Sequence, residues 1–553
     1  MVRRTRNFEA LAINNFRRDA LAIAEAGYAA IDTGGAVRRK ISIAGGQLRI
    51  GDEAYSIAGR KIFFVGVGKC AFPAAEAIEK LFGDRLTGGI ALDVSANERS
   101  GLKKIETYVG THPLPSETNV QATRHIVGFL SGRHEDDLVI MLISGGGSTL
   151  LCLPETPMTC ADEGSLFKTL TARGAPIQDI NVVRKHISRA RGGWLAEAAY
   201  PAEIISLIVS DVPGNDIESI ASGPTVRDYS TVADARAILA RYGIDSVSAV
   251  KFIETPKDEK YFKRATNILF ISNQDALSAM KDEAIRLGYA VTIANDRFAG
   301  EARDLSRAMV KKLHDSPAKT ALLYAGESIV TLGASEGHGG RNQEMALAAL
   351  SDIRDDELML PFASDGRDNT DHAGAIADTA ARAHAVAQDL SIGEYLDSHR
   401  AYDFFSATGD ALITGYTGSN VSDLIIALKN NSMPMQTRSK DIAKHIVWMR
   451  DIGMNDVAQV GGKNASLGEL IRSVVPQGVR VPEGFCFTAD AYYYFLNQTS
   501  LDVFIAKTLD GLDTKNFNEL SRCGKLVRDA IRSATLPADL EEDITEAYAL
   551  MEK

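Results

Sequence analysis

The chain has 553 residues, of which 45% are hydrophobic and 24% are charged, and its formal net charge is −11. This length allows about three or four domains and several apolar cores, as in ordinary globular proteins. The acidic excess argues against a nucleic-acid partner and against an anionic membrane, while it permits a local basic pocket for a small anion.

The cysteines and the N-terminus favour a cytoplasmic protein. None of the five cysteines forms a CxxC pair, so neither a zinc site nor a redox dithiol is indicated, and their low density is typical of a reducing compartment. The basic start at residues 1–6 leads into no apolar h-region, and no run of about eighteen apolar residues occurs. We therefore expect no signal peptide and no membrane-spanning helix; a homo-oligomer is compatible with the sequence.

Short apolar runs alternate with amphipathic helical patterns along most of the chain. The predicted strands are Ile62–Val65, Leu138–Ile143, Ile204–Val209, Ile268–Ile271, Thr320–Ala325 and Leu358–Ala363. The helical patterns are Pro73–Phe82, Val232–Tyr242, the spaced set Ala276, Met280, Ala284 and Leu287, the set Leu305, Met309 and Leu313, and Met345–Leu350. This alternation predicts an α/β protein with a largely parallel sheet, in which ligands bind at the carboxyl ends of the strands.

Two polar segments suggest domain boundaries. The charged stretch between Val250 and Arg264 separates a predicted domain at residues 1–255 from a second one at residues 265–428. The segment 429–440 lacks periodicity and contains Pro434, so we interpret it as a linker. A tail at residues 441–553 follows it.

Glycine-rich clusters follow several of the predicted strands. They are Gly66–Lys69, Ser144–Ser148, Ser210–Asp216 and Ser364–Thr370. The first is neither a P-loop nor GxGxxG, yet Gly68 and Lys69 at a strand end are well placed to meet an anion. A single glycine cluster after a strand is usually just a turn, but several that carry Lys, Ser or Asp indicate a shared pocket.

Two further segments offer anion-binding groups. Ser144, Gly145, Gly146, Gly147 and Ser148 supply backbone N–H groups and two hydroxyls, as in an anion-binding nest, although a flexible turn has the same composition. GxSxG is absent there, so a serine hydrolase is disfavoured. On a helix, Asn181, Arg184, Lys185 and Ser188 share one face, which can bind a carboxylate or phosphate or can be a solvated charged surface.

The stretch Gly337–Glu344 precedes a helical pattern and is the most informative feature of the chain. Bare backbone at a helix start can hold an anion, and the guanidinium fork of Arg341 suits phosphate or carboxylate. A glycine turn followed by a helix cap is the alternative interpretation. The candidate binding residues in this stretch are Gly339, Gly340, Arg341, Asn342 and Glu344.

Carboxylates lie in or near the same loops, including Asp211 and Asp365. Phosphoryl transfer needs one carboxylate to orient the attacking hydroxyl and others to hold Mg²⁺, although a single aspartate in a turn is more often structural. His112 and His338 are weak acid–base candidates. The ten histidines form no HxH or HExxH pattern, so no transition-metal site is indicated.

Taken in chain order, these clusters resemble the class II glycerate 2-kinase family over about residues 5–428. The resemblance also includes Thr111–Pro115, Ile220–Thr225 and Thr414–Val421. It implies a larger Rossmann-like domain, a smaller C-terminal α/β domain and an active site in the cleft. It also implies phosphorylation of D-glycerate at the C2 hydroxyl with ATP and Mg²⁺.

The same resemblance implies roles for three residues. Lys69 and Arg341 would offset negative charge on the transferring phosphoryl group or on the glycerate carboxylate. Asp211 would orient or deprotonate the C2 hydroxyl, or would hold Mg²⁺. Asn215 stands where the family often has Asp, which weakens any metal role for that position.

The tail at residues 441–553 resembles the start of phosphoenolpyruvate synthase, whose nucleotide-binding domain is of the ATP-grasp type. The match rests on Asp451–Met454, Val460–Glu469, Val481–Phe485 and Thr488–Tyr492. In that family the lysine that corresponds to Lys463 lies near ATP phosphates. The remainder of the ATP-grasp domain and the other synthase domains are missing, so we predict no synthase activity for this partial domain.

Two other functions remain open at this point. One is a nicotinamide-dependent hydroxypyruvate reductase, which the absence of GxGxxG with a downstream acidic residue disfavours. The other is a non-catalytic nucleotide-binding scaffold that tethers the tail, which predicts that glycerate does not bind.

Overall fold

The computed structural model describes residues 3–94, 101–212, 214–244, 251–332, 337–430, 445–475, 479, 481, 484–512 and 516–551. The chain divides into two compact units, Met1–Asn431 and Ser432–Lys553. The division falls within the predicted linker at 429–440, of which residues 431–440 lie outside the described part. No helix in the described ranges is long and apolar enough to cross a membrane.

The first unit contains fifteen described strands and sixteen α-helices. The strands are β1 Ile41–Ala44, β2 Gln47–Ile50, β3 Glu53–Ser56, β4 Ile62–Val67, β5 Leu86–Asp93, β6 Ile105–Val109, β7 Leu138–Ile143, β8 Glu203–Val209, β9 Ala265–Ile271, β10 Ala290–Glu301, β11 Thr320–Ile329, β12 Glu357–Ala363, β13 Gly374–Ala375, β14 Ala411–Leu412 and β15 Asp423–Lys429. The helices are α1 Phe8–Leu11, α2 Asn15–Ile31, α3 Thr33–Lys40, α4 Ala71–Phe82, α5 Glu117–Leu130, α6 Gly147–Leu150, α7 Cys160–Ala172, α8 Ile177–Lys185, α9 Trp194–Ala199, α10 Val232–Arg241, α11 Asn273–Arg286, α12 Ala302–His314, α13 Arg341–Asp352, α14 Thr379–Ala387, α15 Ile392–Asp397 and α16 Ala401–Thr408.

The first large sheet is parallel throughout, with the strand order β6-β5-β4-β7-β8-β9. Numbered within the sheet, this is the order 3-2-1-4-5-6 of a Rossmann fold, which confirms the predicted architecture. β4 and β7 are buried along their whole length, and their continuous apolar sequences are typical of a sheet covered on both faces. The order of the strands reverses between β4 and β7, so a crevice opens at their carboxyl ends.

The second large sheet has the order β10-β11-β15-β12-β13-β14. Only β10 and β11 run parallel; β15 lies antiparallel between β11 and β12. A three-stranded antiparallel meander, β1-β2-β3, forms a third, small sheet. The sequence pattern predicted largely parallel strands, and for this second sheet that is wrong, because a buried apolar run reads the same in either direction.

The predicted boundary between 255 and 265 does not coincide with the change from one sheet to the other. β9 begins at Ala265, beyond that boundary, and pairs with β8 as the last strand of the first sheet. In the opposite sense, the N-terminal helix α2 packs on α11 and on strands of the second sheet. Both lobes are therefore built from residues on either side of the boundary.

Three large apolar cores fill the first unit, together with a smaller fourth cluster between α7, α8 and α10. One joins the two large sheets and includes Phe64 and Leu207 from the first sheet, Leu360 and Ile426 from the second, and residues of α2, α4 and α11. The other two lie on the far faces of the sheets, against α12, α13 and α16 in one case and α5 and α9 in the other. The shared central core fixes the two sets of strand ends against each other.

The second unit is smaller. Its elements are β16 Ile446–Trp448, α17 Val457–Val474, β17 Phe485–Phe487, α18 Ala489–Gln498, α19 Leu501–Leu509, α20 Phe517–Ser533 and α21 Ala538–Met551. β16 and β17 form an antiparallel pair. Gly461, at φ 78°, breaks the regular geometry of α17, and Lys463, two residues later, is exposed.

Candidate active site

A cavity of about 310 Å³ lies in the first unit where strand ends of the two large sheets meet. It is lined by Lys69, His112, Gly146, Asp211, Glu327, Arg341, Ala363, Asp365, Arg367, Asp368, Asn369, Asn420 and Asp423. The three predicted catalytic residues, Lys69, Asp211 and Arg341, are all in its wall. The predicted binding residues Gly146 and Asp365 also line it.

Lys69 follows β4 at the point where the strand order reverses. Its backbone N–H donates to the carbonyl of Gly145 at 2.9 Å, and its carbonyl accepts from the Tyr416 hydroxyl at 2.6 Å. Its Nζ lies 3.4 Å from Oδ2 of Asp365, which comes from the other lobe. The backbone is thus fixed by both lobes, while the long side chain carries a loosely paired ammonium into the cavity.

Asp211 follows β8 and is surrounded by loops of both lobes. Its carbonyl accepts from the Ser422 hydroxyl at 3.0 Å, and its Oδ2 lies 3.4 Å from the amide nitrogen of Asn420. Burial raises the pKa of the Asp211 carboxyl to about 6, and the charge of Lys69 opposes that shift. A carboxylate with this pKa is ionised at neutral pH and accepts a proton more readily than an ordinary aspartate.

The glycines next to these residues are required by loop packing. A Cβ on Gly145 would lie 1.9 Å from Oδ2 of Asp211, and one on Gly147 would lie 2.6 Å from Cβ of Ala221. Gly68 has φ 116°, and a Cβ there would lie 2.2 Å from Oγ of Ser144. We predicted these positions as ligand contacts, but in the structure they let the loops after β4, β7 and β8 approach one another.

The two predicted serines face the protein. Oγ of Ser144 accepts a hydrogen bond from the backbone N–H of Cys70 at 3.2 Å. Oγ of Ser148 lies 2.9 Å from Oγ of Ser222, whose hydroxyl donates to Asn181 at 3.0 Å. Neither serine is part of the cavity wall, so Gly146 alone represents this cluster there.

Arg341 begins α13 and is held by two carboxylates. Its Nε donates to Oδ2 of Asp423 at 2.6 Å, and Nη1 is paired with Glu327. Burial opposes its charge, but Asp423 and Glu327 raise the pKa of the guanidinium above its usual range. The group is therefore a fixed cation, and its Nη2 donates to no described residue, so it is available to a ligand in the cavity.

The start of α13 does not present bare backbone to a ligand. Asp368 accepts from the backbone N–H groups of Asn342 at 3.2 Å and Gln343 at 2.8 Å, and also from the side chain of Asn342. Gly340 leaves the room for this, since a Cβ there would lie 2.1 Å from Cγ of Asp368. The anion that we expected at this helix start is thus the carboxylate of Asp368, a residue of the chain itself. Gly339, at φ 151°, packs on Tyr402.

Glu344 lies on the far side of α13, away from the cavity. It is almost fully buried, and its Oε1 accepts from Nε of Arg303 at 2.7 Å and lies 2.9 Å from Nδ1 of His399. The prediction of Glu344 as a substrate- or nucleotide-binding residue does not agree with this placement. The motif therefore contributes one residue to the cavity, Arg341, and the others build the helix that carries it.

Arg184 and Lys185 end α8, and both are buried. Lys185 pairs with Asp228 at 3.3 Å, whereas Arg184 forms no ion pair with any described residue and stacks on Phe167 at 4.2 Å. Burial lowers the pKa of Arg184 to about 10. The positive charge of Arg184 contributes to lowering the pKa of His112 in the cavity wall. Ser188 lies beyond the end of the helix, so the predicted four-residue face is wrong in that position.

Several wall residues were missed because their signal is weak in the sequence. Asp423 is a charged residue at the start of a buried apolar strand, and Glu327 follows the apolar run of β11. Each of them reads as an ordinary strand end until the antiparallel pairing of β15 with β11 and β12 is known. Arg367 and Asn369 lie in a loop already singled out, although not by residue.

Family models divide the chain into three regions. Residues 19–254 match a domain of unknown function (DUF4147), and residues 320–423 match the MOFRL family. Residues 457–553 match the AMP/ATP-binding domain of pyruvate phosphate dikinase.

Curated relatives cover the first two regions. The D-glycerate 2-kinase of Thermotoga maritima is 34% identical over 66% of this chain and 90% of its own length. The glycerate 2-kinase of Pyrococcus horikoshii is 33% identical over 71% of this chain and 92% of its own. An Agrobacterium vitis protein with the provisional name hydroxypyruvate reductase is 37% identical over 65% of this chain and 85% of its own.

Two crystal structures share the fold. The glycerate kinase of Thermotoga maritima superposes with a TM-score of 0.66 at 30% identity, over 74% of this chain and 99% of that one. A Pyrococcus horikoshii protein superposes with a TM-score of 0.65 at 31% identity, over 75% of this chain and 99% of that one.

Proposed function

Because this chain belongs to the glycerate 2-kinase family, we propose that its cavity transfers the γ-phosphoryl group of ATP to the C2 hydroxyl of D-glycerate. The observation that supports this most is the convergence of Lys69, Asp211 and Arg341 on one cavity, the first two from strand ends and the third from the start of α13. Phosphoryl transfer is catalysed mainly by positioning and by charge stabilisation, and the cavity offers groups for both.

Asp211 is the proposed acceptor of the hydroxyl proton. With a pKa of about 6, the Asp211 carboxyl is still mostly ionised at neutral pH. It is also more basic than an ordinary aspartate, so it can accept the hydroxyl proton as the oxygen attacks phosphorus. Its contacts to Asn420 and Ser422 link it to the second lobe. The group that aligns the substrate hydroxyl is thus tied to the lobe that carries Arg341.

Lys69 and Arg341 are the proposed stabilisers of negative charge. Lys69 carries its ammonium on a long side chain whose ion pair with Asp365 is 3.4 Å long, so it can follow the phosphoryl group as it moves from donor to acceptor. Arg341 is held rigidly by Asp423 and Glu327, so it presents a preformed positive charge without reorganisation. Arg184, a buried cation without an ion-pair partner among the described residues, is proposed to attract the glycerate carboxylate.

The cavity wall also fits Mg²⁺. Five of its residues carry carboxylates and three carry permanent cations, so a triphosphate entering alone would meet an excess of negative charge. The described residues contain no ready-made cluster of three ligands, and Mg²⁺ typically uses one or two carboxylates together with substrate phosphates. Asp365 is the residue that would hold it, because Asp211 is assigned to the hydroxyl proton, and the ion would neutralise phosphate charge.

A second candidate is hydroxypyruvate reduction, because one relative carries that name. Against it, the acidic residue at the end of β5, Asp93, which would have to meet a ribose hydroxyl of the dinucleotide, is buried, and its Oδ2 accepts from the backbone N–H of Phe72 at 3.0 Å. The turn after β4, Gly66–Ala71, has alanine in place of the third glycine, which the dinucleotide fingerprint tolerates. A reductase would oxidise NADH or NADPH with hydroxypyruvate, which is seen as loss of absorbance of the reduced cofactor. We expect no such loss.

The proposed location is the cytoplasm. All five cysteines are free thiols and four of them are buried, as expected in a reducing compartment. Both proposed substrates are small molecules, and the proposal requires neither nucleic acid nor membrane.

The direct test is incubation of the purified chain with ATP, Mg²⁺ and D-glycerate, followed by phosphorus NMR of the product. We expect one phosphomonoester, 2-phosphoglycerate, together with ADP. A phosphate on C3 would contradict the regiochemistry, and absence of any phosphorylated acid would contradict the function.

A further inference from the structure

His112 is a wall residue of the cavity for which the reaction as described above has no role. Its main chain is held by a buried neighbour: the Thr111 N–H donates to Oδ1 of Asn119 at 2.8 Å, and Nδ2 of Asn119 donates to the Thr111 carbonyl at 3.0 Å. Thr149 Oγ1 donates to the Pro113 carbonyl at 3.2 Å. The loop therefore holds the backbone of His112 at a defined place beside the cavity.

The imidazole has no partner within the described part of the protein. Eight of the ten histidines pair through a ring nitrogen with a described neighbour. The other two, His112 and His134, are both exposed, but only His112 lines the cavity. Because no described residue occupies its ring nitrogens, both are available to a ligand that enters the cavity.

The surroundings keep this imidazole uncharged. Partial burial lowers the pKa of His112 to about 4, and the positive charges of Lys69 and Arg184 act in the same direction, whereas Asp365 opposes them. At neutral pH the ring is therefore one donor and one acceptor. Such a group suits an uncharged hydroxyl, and the nearby cations are better suited to a carboxylate or phosphate.

The position of His112 relative to Asp211 suggests which hydroxyl it binds. A Cβ on Gly145 would touch the Asp211 carboxylate, and a Cβ on the next residue, Gly146, would lie 3.4 Å from Cδ2 of His112. Neighbouring Cα atoms are about 3.8 Å apart, so the two side chains flank adjacent residues of one loop. Two hydroxyls on adjacent carbons of a three-carbon acid can face these two groups at the same time.

We infer that His112 is a specificity-determining residue whose imidazole hydrogen-bonds the C3 hydroxyl of D-glycerate while Asp211 engages the C2 hydroxyl. This inference rests on the proposed function. It predicts that the enzyme distinguishes D-glycerate from D-lactate, which has the same carboxylate and C2 hydroxyl but no C3 hydroxyl, through this residue.

The test compares His112→Ala and His112→Gln with the wild-type full chain. For His112→Ala, we expect the KM for D-glycerate to rise about 10-fold, the worth of one hydrogen bond. The KM for ATP and the Ki of D-lactate, measured as an inhibitor of D-glycerate phosphorylation, should stay within about twofold. His112→Gln, which keeps an uncharged donor and acceptor, should keep the KM for D-glycerate within about threefold of wild type.

His134→Ala is the matched control, since that ring is also unpaired but lies outside the cavity, and we expect wild-type constants. In His112→Ala, an equal rise in the KM for D-glycerate and the Ki of D-lactate, or no change in either, would overturn this inference but would leave the proposed function standing. A wild-type chain that does not phosphorylate D-glycerate would instead overturn the proposed function and this inference with it.

Discussion

At the scale of single residues, Asp211 combines two opposing influences. Burial among loops of both lobes raises the pKa of its carboxyl, and Lys69 lowers it. The folded chain therefore binds a proton at Asp211 more tightly than the unfolded chain does, so ionisation of this residue weakens the folded state as the pH rises from about 4 to about 6. At neutral pH the ionised Asp211 carboxylate therefore destabilises the folded state, and such perturbed acids are typical of catalytic sites.

The pH dependence of the reaction follows from this pKa. At saturating Mg²⁺ and ATP, kcat/KM for D-glycerate should be level near neutral pH and should fall about tenfold per pH unit below about pH 6, because protonated Asp211 cannot accept the hydroxyl proton. A profile that stays flat down to pH 5 would contradict the assignment of Asp211 as proton acceptor.

Asp211→Asn provides the control for this assignment. It should lose most turnover, yet its free energy of unfolding at pH 8 should not fall below that of wild type, because it removes a carboxylate whose ionisation disfavours the folded state. Loss of stability at pH 8 would indicate a structural role instead.

At the scale of elements, the sequence was most informative about buried strands. β7 has the predicted bounds, and β4, β8 and β12 differ from theirs by one or two residues, because long apolar runs flanked by glycine have few other interpretations. The sequence also located the loops that line the cavity. It could not show which glycines face a ligand and which face a neighbouring loop, since that depends on contacts between distant segments such as Gly145 with Asp211.

The loop after β7 provides a test of this packing. In Gly145→Ala the new Cβ would overlap the Asp211 carboxylate, which must move. We expect kcat/KM to fall at least 100-fold, because a displacement of about 1 Å at a reacting group has an effect of this size. Steady-state kinetics of the purified variant is the measurement.

Gly128→Ala is the matched control, because a Cβ on this glycine in α5 meets nothing within 4 Å. It should keep wild-type kinetics, and its stability should be equal or greater, since alanine favours helix over glycine. If Gly145→Ala also retained wild-type kinetics, the close packing of this loop on Asp211 would be wrong.

At the scale of the whole molecule, the N-terminal helix α2 is part of the C-terminal lobe. Arg17 on this helix is fully buried, and it donates to both carboxylate oxygens of Asp378 at 2.6 and 2.7 Å and to Asp410 at 2.7 Å. These partners lie more than 360 positions away in the chain. No local pattern predicts such a pairing, which explains why a boundary set by sequence near residue 260 could not divide the lobes correctly.

Removal of this cation should destabilise the first unit. We expect Arg17→Met to lower its free energy of unfolding by about 3–5 kcal/mol, because two buried carboxylates lose their counter-charge. The chain has two tryptophans, Trp194 and Trp448. In a Trp448→Phe background, the fluorescence of Trp194 reports urea unfolding of the first unit alone.

The exposed neighbour Arg18 gives the control for that experiment. Its distance to Glu9 is 3.8 Å and both side chains are at least half exposed, so Arg18→Met should change the free energy of unfolding by less than about 1 kcal/mol. Equal effects of the two substitutions would contradict the account of Arg17.

No described residue of the second unit lines the cavity. A chain that ends after Asn430 should therefore phosphorylate D-glycerate with kcat/KM within about twofold of the full chain. A large loss in a soluble, folded truncated chain would show that the tail is required by the kinase.

We place the transfer of the phosphoryl group in the cavity shared by Lys69, Asp211 and Arg341. Lys69 and Lys61 flank the same strand, Lys69 at the carboxyl end in the cavity and Lys61 at the exposed opposite end. The most direct test is the rate of D-glycerate phosphorylation by Lys69→Ala and by Lys61→Ala. We predict a loss of about 100-fold or more in the first, with its fold intact, and a wild-type rate in the second; a wild-type rate in Lys69→Ala would contradict the claim.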